Sequence, residues 1–380
     1  MKRFSIILFG ALVMLMASCS KNAEPSPTDP NAWQTDLNLP VPVEFGSPDV
    51  STKAGFIEDL VQDADAPFGV FAIDCESDFL DNSDNYLFNN RTGYLKNGVI
   101  ELEKLTYYPM VSDKRYNFYA YYTKSTKPVI QSEDKVYIQT EVGATDILYG
   151  RTVAQTITLD DKNYEGFNAA YIRAARKTPT PEDFYPNIMF KHATAGVQFY
   201  VKTPQDKADY FNENTMWVQE ISLNVPTTGK LCVIDKVTLT NPEATNMEGQ
   251  FATPNDEDIK QLKVATGPLY PTWEQSYDDI NSGVIGRKAG NPCFLIPTDK
   301  TISGKILMQR IEGTTTVNVP VSFELKYNLK AGYRYNIALL IHSPELVTFE
   351  VDVEEWKDGF KEGDVVYDDN NPGSDVIEIG

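Results

Sequence analysis

Histidine is almost missing from this chain: His192 and His342 are the only two in 380 residues. Neither stands near a G-x-S-x-G, an H-E-x-x-H or a phosphate-cradling glycine loop, and none of those patterns occurs elsewhere. The usual hydrolase, zinc-protease and nucleotide sites are therefore excluded. His192, in "FKHATAGV", and His342, at the end of a predicted strand, read as structural hydrogen-bonding residues. Cysteine is scarce as well, and Cys75, Cys232 and Cys293 lie too far apart for a metal-ligand pattern. Two readings remain for these three: one disulfide in an oxidising compartment, or buried free thiols, which pack well as small hydrophobes. Basic residues are outnumbered, 34 Lys and Arg against 54 Asp and Glu, for a formal charge of −20. Nucleic acid is thereby excluded as a partner, because phosphate binding needs clustered Lys and Arg. Past the first twenty residues no apolar run is long enough for a transmembrane helix. The stretch "DKNYEG" (161–166) opens like a calcium-binding loop, but Ile172 stands where the twelfth, bidentate Glu belongs, so it reads as a turn. Paired carboxylates are too abundant to single out a glycosidase pair, whose geometry a sequence does not show. No catalytic residue, metal or cofactor is assigned, and the chain does not read as an enzyme.

What the chain does contain begins with an export signal. Lys2 and Arg3 precede an apolar run from Ile6 to Met16, then Ala17, Ser18 and Cys19. This is a signal peptide of residues 1–18, too short to span a bilayer, with Cys19 placed for lipoprotein cleavage and acylation. Several acyl chains on Cys19, at about 0.8 kcal/mol per buried CH₂, would hold the chain on the outer membrane. Residues 19–40 are polar and rich in Pro, Asn and Asp, as expected of a lipidated spacer that stands a folded body off the lipid.

The body consists of short aromatic and β-branched runs divided by turn residues. Among them are "FGVFAI", "RYNFYAYYT", "KVYIQTEV", "GVQFYVK", "ISLNVPTTGKLCVI", "GKILMQRI", "TTVNVPVSFEL", "YRYNIALLIH" and "VTFEVDVEEW". In the last, Val347, Phe349, Val351 and Val353 alternate with Thr348, Glu350, Asp352 and Glu354, which predicts a half-buried antiparallel strand. Many strands at this spacing make an all-β protein of packed sandwiches. Hydrophobic residues, at 42% of the chain, suffice for more than one core, and the strands outnumber what one sandwich holds. We place an N-terminal β-sandwich over 41–190 and a second over 191–356, divided at the Pro-rich stretch before "AGVQFYVK". Two helices are predicted, in "FIEDLVQDA" (56–64) and "PQDKADYFNENT" (204–215).

These runs carry a resemblance. Cys19 in its lipobox, "PVEFGSPDVSTKAG", "FGVFAID", "YNFYAYYT", "TDILYGR", "MFKHATAGVQFYVK", "ISLNVPTTGKL", "FLIPTD", "LKAGYRYNIALLI" and "VDVEEW" occur in order over nearly the whole chain. Together they resemble the fimbrillins of Bacteroidales, type V pilins made as lipoproteins. The resemblance implies two tandem transthyretin-like sandwiches, a cell-surface fimbrium and a role in adhesion. It also implies proteolytic maturation after a basic residue behind the first strand, here Lys53, leaving Ala54 as the new N-terminus. Other pilin subunits would then be the partners, joined by strand addition, together with the membrane lipid on Cys19 before cleavage and a host or bacterial surface ligand.

Both halves of such a joint have sequence candidates. The removable strand is Val41, Val43 and Phe45, apolar residues alternating with Pro42 and Glu44; Pro42, lacking an N–H, belongs at an edge. The donor is the tail after Trp356, residues 357–380, which carries Val365, Val366 and Tyr367, then Val376, Ile377 and Ile379, divided by the turn-like "DDNNPG". The alternative is that the tail pairs with its own domain or frays. A different class also fits the composition: a non-polymerising surface lipoprotein that binds glycans through exposed aromatics.

Overall fold

The structure, a computed structural model, describes residues 32–34, 36–46, 65–96, 99–110, 113–180, 184–273, 286–344 and 346–355. Cys19, Lys53, Ala54, the predicted helix at 56–64 and the tail residues Val365, Val366, Tyr367, Val376, Ile377 and Ile379 lie outside them. The chain forms two compact units, one ending at Leu39 and one beginning at Pro40. In the first, Ala32–Gln34 makes a 3-10 turn, and the Asp36 carboxylate accepts from the Asn38 backbone N–H at 2.9 Å. The second unit is built almost wholly of strands, nineteen among the described residues, as the alternation predicts.

Its first half centres on a six-stranded antiparallel sheet. The order is β10 (Met189–His192), β7 (Leu148–Thr152), β4 (Tyr116–Tyr122), β1 (Phe68–Asp74), β2 (Tyr86–Lys96), β3 (Val99–Leu102). A three-stranded sheet, β13 (Thr228–Asp235), β6 (Lys135–Glu141) and β5 (Val129–Gln131), covers one face. Phe71, Ile73, Tyr119 and Tyr121 from the large sheet pack there with Val136, Ile138, Leu231 and Val233. β1 and β4 are buried at every position, so their other face is covered too. On that face Phe118 is surrounded by Phe45 at 5.3 Å, Phe167 at 5.8 Å, Phe88 at 6.1 Å and Tyr108 at 6.5 Å between ring centroids. Edge-to-face contacts of this kind add about 0.5–1.5 kcal/mol each beyond area burial.

The second half is a sandwich of two four-stranded sheets. One runs β15 (Arg287–Leu295), β11 (Ala195–Lys202), β18 (Tyr333–Ser343), β19 (Leu346–Glu355); the other runs β14 (Ile259–Leu269), β12 (Met216–Pro226), β16 (Ile302–Glu312), β17 (Thr315–Leu325). Val197, Phe199, Ile221, Leu223, Ile306 and Ile337 lie in its core, and Val347 and Phe349 of β19 point into it as the alternation predicts. β11 and β18 pair in parallel; the other ladders of this half are antiparallel. The two halves share strands in an order that sequence position does not reveal: β12 lies in the second sandwich, yet β13, one residue later, pairs with β6 of the first.

Local structure departs from expectation in three places, each for a local reason. The stretch at 204–215 is a 3-10 turn, Gln205–Tyr210, with no side-chain cap at Pro204 to start an α-helix. A helix not foreseen, α1 (Ala169–Ala175), forms because the Asn168 side chain caps it, accepting the Tyr171 N–H at 2.9 Å. The turn sought in "DKNYEG" lies one residue upstream. Asp160 and Asp161, at φ 51° and 58°, join β8 (Thr156–Leu159) to β9 (Lys162–Glu165), the paired left-handed geometry of a tight hairpin.

One buried polar network ties the 236–250 connection to the large sheet. Glu248 Oε2 receives Arg151 Nη1 at 2.7 Å and the Tyr149 hydroxyl at 3.1 Å, while Oε1 accepts from the Thr238 hydroxyl and, at 3.2 Å, from the Asp235 N–H. Burial pushes the Glu248 carboxyl above the usual carboxylate range, and the hydrogen bond from Thr238 and the charge of Arg151 offset this only in part. The folded state thus holds the Glu248 proton more tightly than the unfolded chain does. Its contribution to stability is full below the ordinary carboxylate range and is lost as pH rises through the raised value. Glu248→Gln should abolish that decline, flattening the urea midpoint against pH above 4. A wild-type slope in the variant would mean another group titrates.

Candidate functional site

Among the described residues, the two histidines and three cysteines have structural surroundings. His192 Nδ1 lies 2.5 Å from Asp146 Oδ2, and the Thr194 hydroxyl donates to Asp146 Oδ1 at 2.8 Å. All three are buried, and the carboxylate is shared between two donors at the passage from β10 into β11. This orients the chain between the two sandwiches. His342 Nε2 is 3.2 Å from the Thr348 hydroxyl across the β18–β19 hairpin. Cys75, Cys232 and Cys293 are free, buried thiols. Burial raises all three, Cys293 to about 12, so the nucleophilic thiolate is not formed near neutrality. Among the described residues no group of three or more His, Cys, Asp or Glu side chains is arranged to hold a metal.

The feature with the geometry of an exchangeable part is the segment 41–46. It makes a short antiparallel contact with 106–108: Val43 N–H donates to the Thr106 carbonyl at 2.8 Å, and Tyr108 N–H donates to the Val41 carbonyl at 2.9 Å. Pro42 faces Tyr107 between these two bonds, so its missing donor points away from the partner and costs nothing there. Gly46 N–H donates to the Pro186 carbonyl at 2.9 Å, and the Glu44 carboxylate meets Arg176, at the end of α1, at 3.2 Å. Val41 and Val43 are buried, and the Phe45 ring stands edge-on to Phe118. The segment therefore lies on the second aromatic face of the six-stranded sheet, beside Tyr108 and against Phe118; Phe167 packs on Phe118 and Tyr171 on Phe167, extending the floor. It is attached by isolated bonds rather than by a continuous ladder.

Sequence reasoning singles out the apolar side of this contact and misses its receptor. Thr106–Tyr108, Phe167, Tyr171 and Arg176 come from a loop and from α1. Their one legible signal is the density of aromatics in "LTYYP" and "EGFNAAY". Leu105, Tyr107 and Met110 on the same loop are exposed.

The sequence profile of a family described as fimbrillin-like matches residues 52–356, and the chain belongs to that family, one of structural and adhesive proteins rather than enzymes. No curated protein sequence matches. Among solved structures, a candidate cell adhesion protein of Bacteroides uniformis ATCC 8492 is 15% identical, covering 84% of this chain and 98% of its own, with a TM-score of 0.44. A second candidate cell adhesion protein, from Bacteroides eggerthii DSM 20697, is 10% identical over 85% of this chain and 99% of its own, at 0.42. A fimbrial protein of Bacteroides ovatus ATCC 8483 is 9% identical over 80% of this chain and 51% of its own, at 0.24.

The local geometry predicts opposite effects at adjacent residues. Val43→Pro deletes the donor to Thr106, worth about 1 kcal/mol net, and should cut protection of the Tyr108 amide against hydrogen exchange by roughly fivefold. Pro42→Ala should leave that protection unchanged. Equal loss in both would mean that the contact does not depend on this hydrogen-bond register.

Proposed function

We propose that this chain is a structural subunit of a cell-surface fimbrium, exported as a lipoprotein through Cys19, cut between Lys53 and Ala54, and assembled by strand exchange. The body comprises two sandwiches divided near residue 190, the second stretch lending β13 to the first sandwich, with 357–380 as donor. The observation that carries this reading is the segment 41–46: a buried apolar strand piece, held by few bonds over an aromatic floor, upstream of the proposed cut. The family match, which starts at residue 52, leaves both this segment and the tail outside it.

Cleavage acts here as a switch through effective concentration. While joined to the body, the segment competes for its floor at a local concentration on the order of millimolar, and an outside strand of ordinary affinity loses. Once cut, the segment can leave, baring apolar surface and the Thr106 carbonyl and Tyr108 N–H. Both of those groups need new partners. An extended tail from another copy supplies backbone groups for them and side chains for the floor. The contact is head to tail and does not close on itself, so it propagates as a filament. Adhesion through a host or bacterial surface ligand is the use we assign to such a filament.

Two measurements test this. Intact mass and N-terminal sequencing of sheared surface filaments should find a start at Ala54. Acylated Cys19 confined to the membrane would favour the glycan-binding lipoprotein instead. The paired substitutions Ile377→Asp and Ile379→Asp should leave the monomer's melting curve within about 2 °C of the parent yet abolish filaments seen by electron microscopy, because buried charge is costly at a packed joint. Unchanged filaments would remove the tail from the mechanism.

A further inference from the structure

Two hydroxyls in the aromatic cluster that Phe45 joins are unmatched. Tyr108 and Tyr171 are 1% and 0% exposed, and neither hydroxyl has a hydrogen-bond partner among the described residues. Most buried polar atoms in native proteins are paired, because leaving one unpaired is expensive. Elsewhere in this sandwich the rule holds for Tyr86, Tyr121 and Tyr149, whose hydroxyls bond Leu80, Asn90 and Glu248. On the opposite face the Tyr119 hydroxyl also makes no hydrogen bond, but Thr238 and Asn117 lie close to it. Tyr108 and Tyr171 belong to the ring cluster that the segment 41–46 joins through Phe45 and Phe118. The Tyr108 ring packs on Phe118, as Phe45 does, and the Tyr171 ring meets Phe167 edge-on at 5.3 Å. The two phenols are also close enough to affect each other: burial is the main cause that pushes Tyr108 well up, and next come Tyr185, Tyr171 and the Glu44 carboxylate.

The resident segment gives these donors nothing. Val41, Val43 and Phe45 are apolar, and Glu44, its one acidic side chain, is turned to Arg176. We infer that the floor is complementary to a different strand: the acidic tail, 357–380, of a second copy of this chain, with a carboxylate of that tail accepting hydrogen bonds from the Tyr108 and Tyr171 hydroxyls. The inference rests on the strand-exchange reading and adds what the floor selects for. An aromatic floor alone would favour an apolar donor, whereas the tail carries Asp358, Glu362, Asp364, Asp368, Asp369, Asp375 and Glu378 against only Lys357 and Lys361. In "DVVYD", Asp364, Val366 and Asp368 fall on one face of an extended strand, so a carboxylate and an apolar side chain can point into the floor together. Arg176 at the rim is already shown to hold a carboxylate, that of Glu44. Residues 356–380 follow β19, and about 3.3 Å per extended residue gives a reach of roughly 80 Å, ample for a neighbouring copy. Exchange is then driven in part by satisfying hydroxyls that the resident segment leaves bare.

The test is a double-mutant cycle on the full chain, cut after Lys53 by limited proteolysis and checked by mass. The protein variant is Tyr108→Phe with Tyr171→Phe; the probe is a labelled synthetic peptide of residues 357–380, with and without Asp364→Asn and Asp368→Asn. Uncut, the protein variant should melt at or above the parent temperature, since it loses no bond. Cut, it should bind the peptide at least tenfold more weakly than the cut parent does. The Asn peptide should lose as much on the parent protein and little further on the variant, the mark of coupled groups. A melting temperature several degrees below the parent would show the hydroxyls already satisfied in the resting chain, by water for instance, and would overturn the inference. Equal peptide affinity for parent and variant would overturn it while leaving strand exchange standing. No binding of the unmodified peptide to the cut parent would remove the strand-exchange reading, and this inference with it.

Discussion

The fold depends on a sheet that is apolar on both faces. "FGVFAID" and "YNFYAYY", paired as β1 and β4, place large rings alternately up and down, and none of these positions reaches solvent. An aromatic ring buries roughly 150–250 Å², worth on the order of 4–6 kcal/mol at about 25 cal/mol per Å². Leaving one face open would therefore cost more than the few kcal/mol by which domains are ordinarily stable. Two covers are required. The first is a sheet built into the chain, with β13 delivered from beyond the junction. The second is assembled from separate pieces: the segment 41–46, the 106–108 loop, Phe167 and α1.

The two covers differ in how they can be removed. β13 is fixed by a seven-pair ladder to β6, by backbone bonds to the 249–252 stretch and by the Glu248 network. Detaching it would bare a buried carboxylate and the sheet together, a penalty of the kind that makes breaking buried polar pairs costly. The segment 41–46 holds no such network. Its ion pair, Glu44 with Arg176, is partly exposed and worth about 0–1 kcal/mol, so its attachment is mostly apolar contact that any strand of similar shape can replace. A required cover and a weakly tied segment thus meet in the same place.

Much of this is legible from residue order, and what is not has a physical cause. The sandwich class, β4, β17 and β19 follow from alternation and aromatic content. β2 is harder to see, because "FNNRT" at its centre is polar. Asn90, at φ 50°, bends the strand there, and its side chain bonds Tyr121 and Lys127. The partner of that arrangement is Gly69, where a Cβ would strike the Tyr121 ring at 2.3 Å; only the tertiary contact explains either residue. β14 reads as a charged run, "IKQLKV", since as an edge strand it shows solvent along most of its length. Likewise the passage of β13 into the first sandwich depends on long-range pairing that no local pattern encodes. At the candidate site the inserted residues are legible and the receiving surface is not, because a strand advertises itself by period two, whereas a floor is collected from a loop, a helix and a sheet.

Two prolines show how unwanted pairing is kept from the remaining edges. β16 and β17 are joined by Gly313 and Thr314, with Glu312 facing Thr315 in the closing pair. In a two-residue hairpin that pair is hydrogen-bonded, and bonded and non-bonded pairs alternate from it, so Leu307 and Pro320 form a non-bonded pair. Pro320 consequently turns its nitrogen outward and interrupts the free edge of an eleven-residue strand with a position that cannot donate. Pro42 does the same on the outer side of its segment, between the bonds of Val41 and Val43. The free edges of the large sheet, β3 and β10, are four residues each, too short to template a stable partner. β19 is long and has no proline, but Glu350 and Asp352 line its outer face, and copies of a chain with a charge of −20 repel there. Strand addition is thereby discouraged at β3, β10, β17 and β19. On the strand-exchange reading proposed above, the favoured place is the one where a short, weakly tied segment must first be displaced.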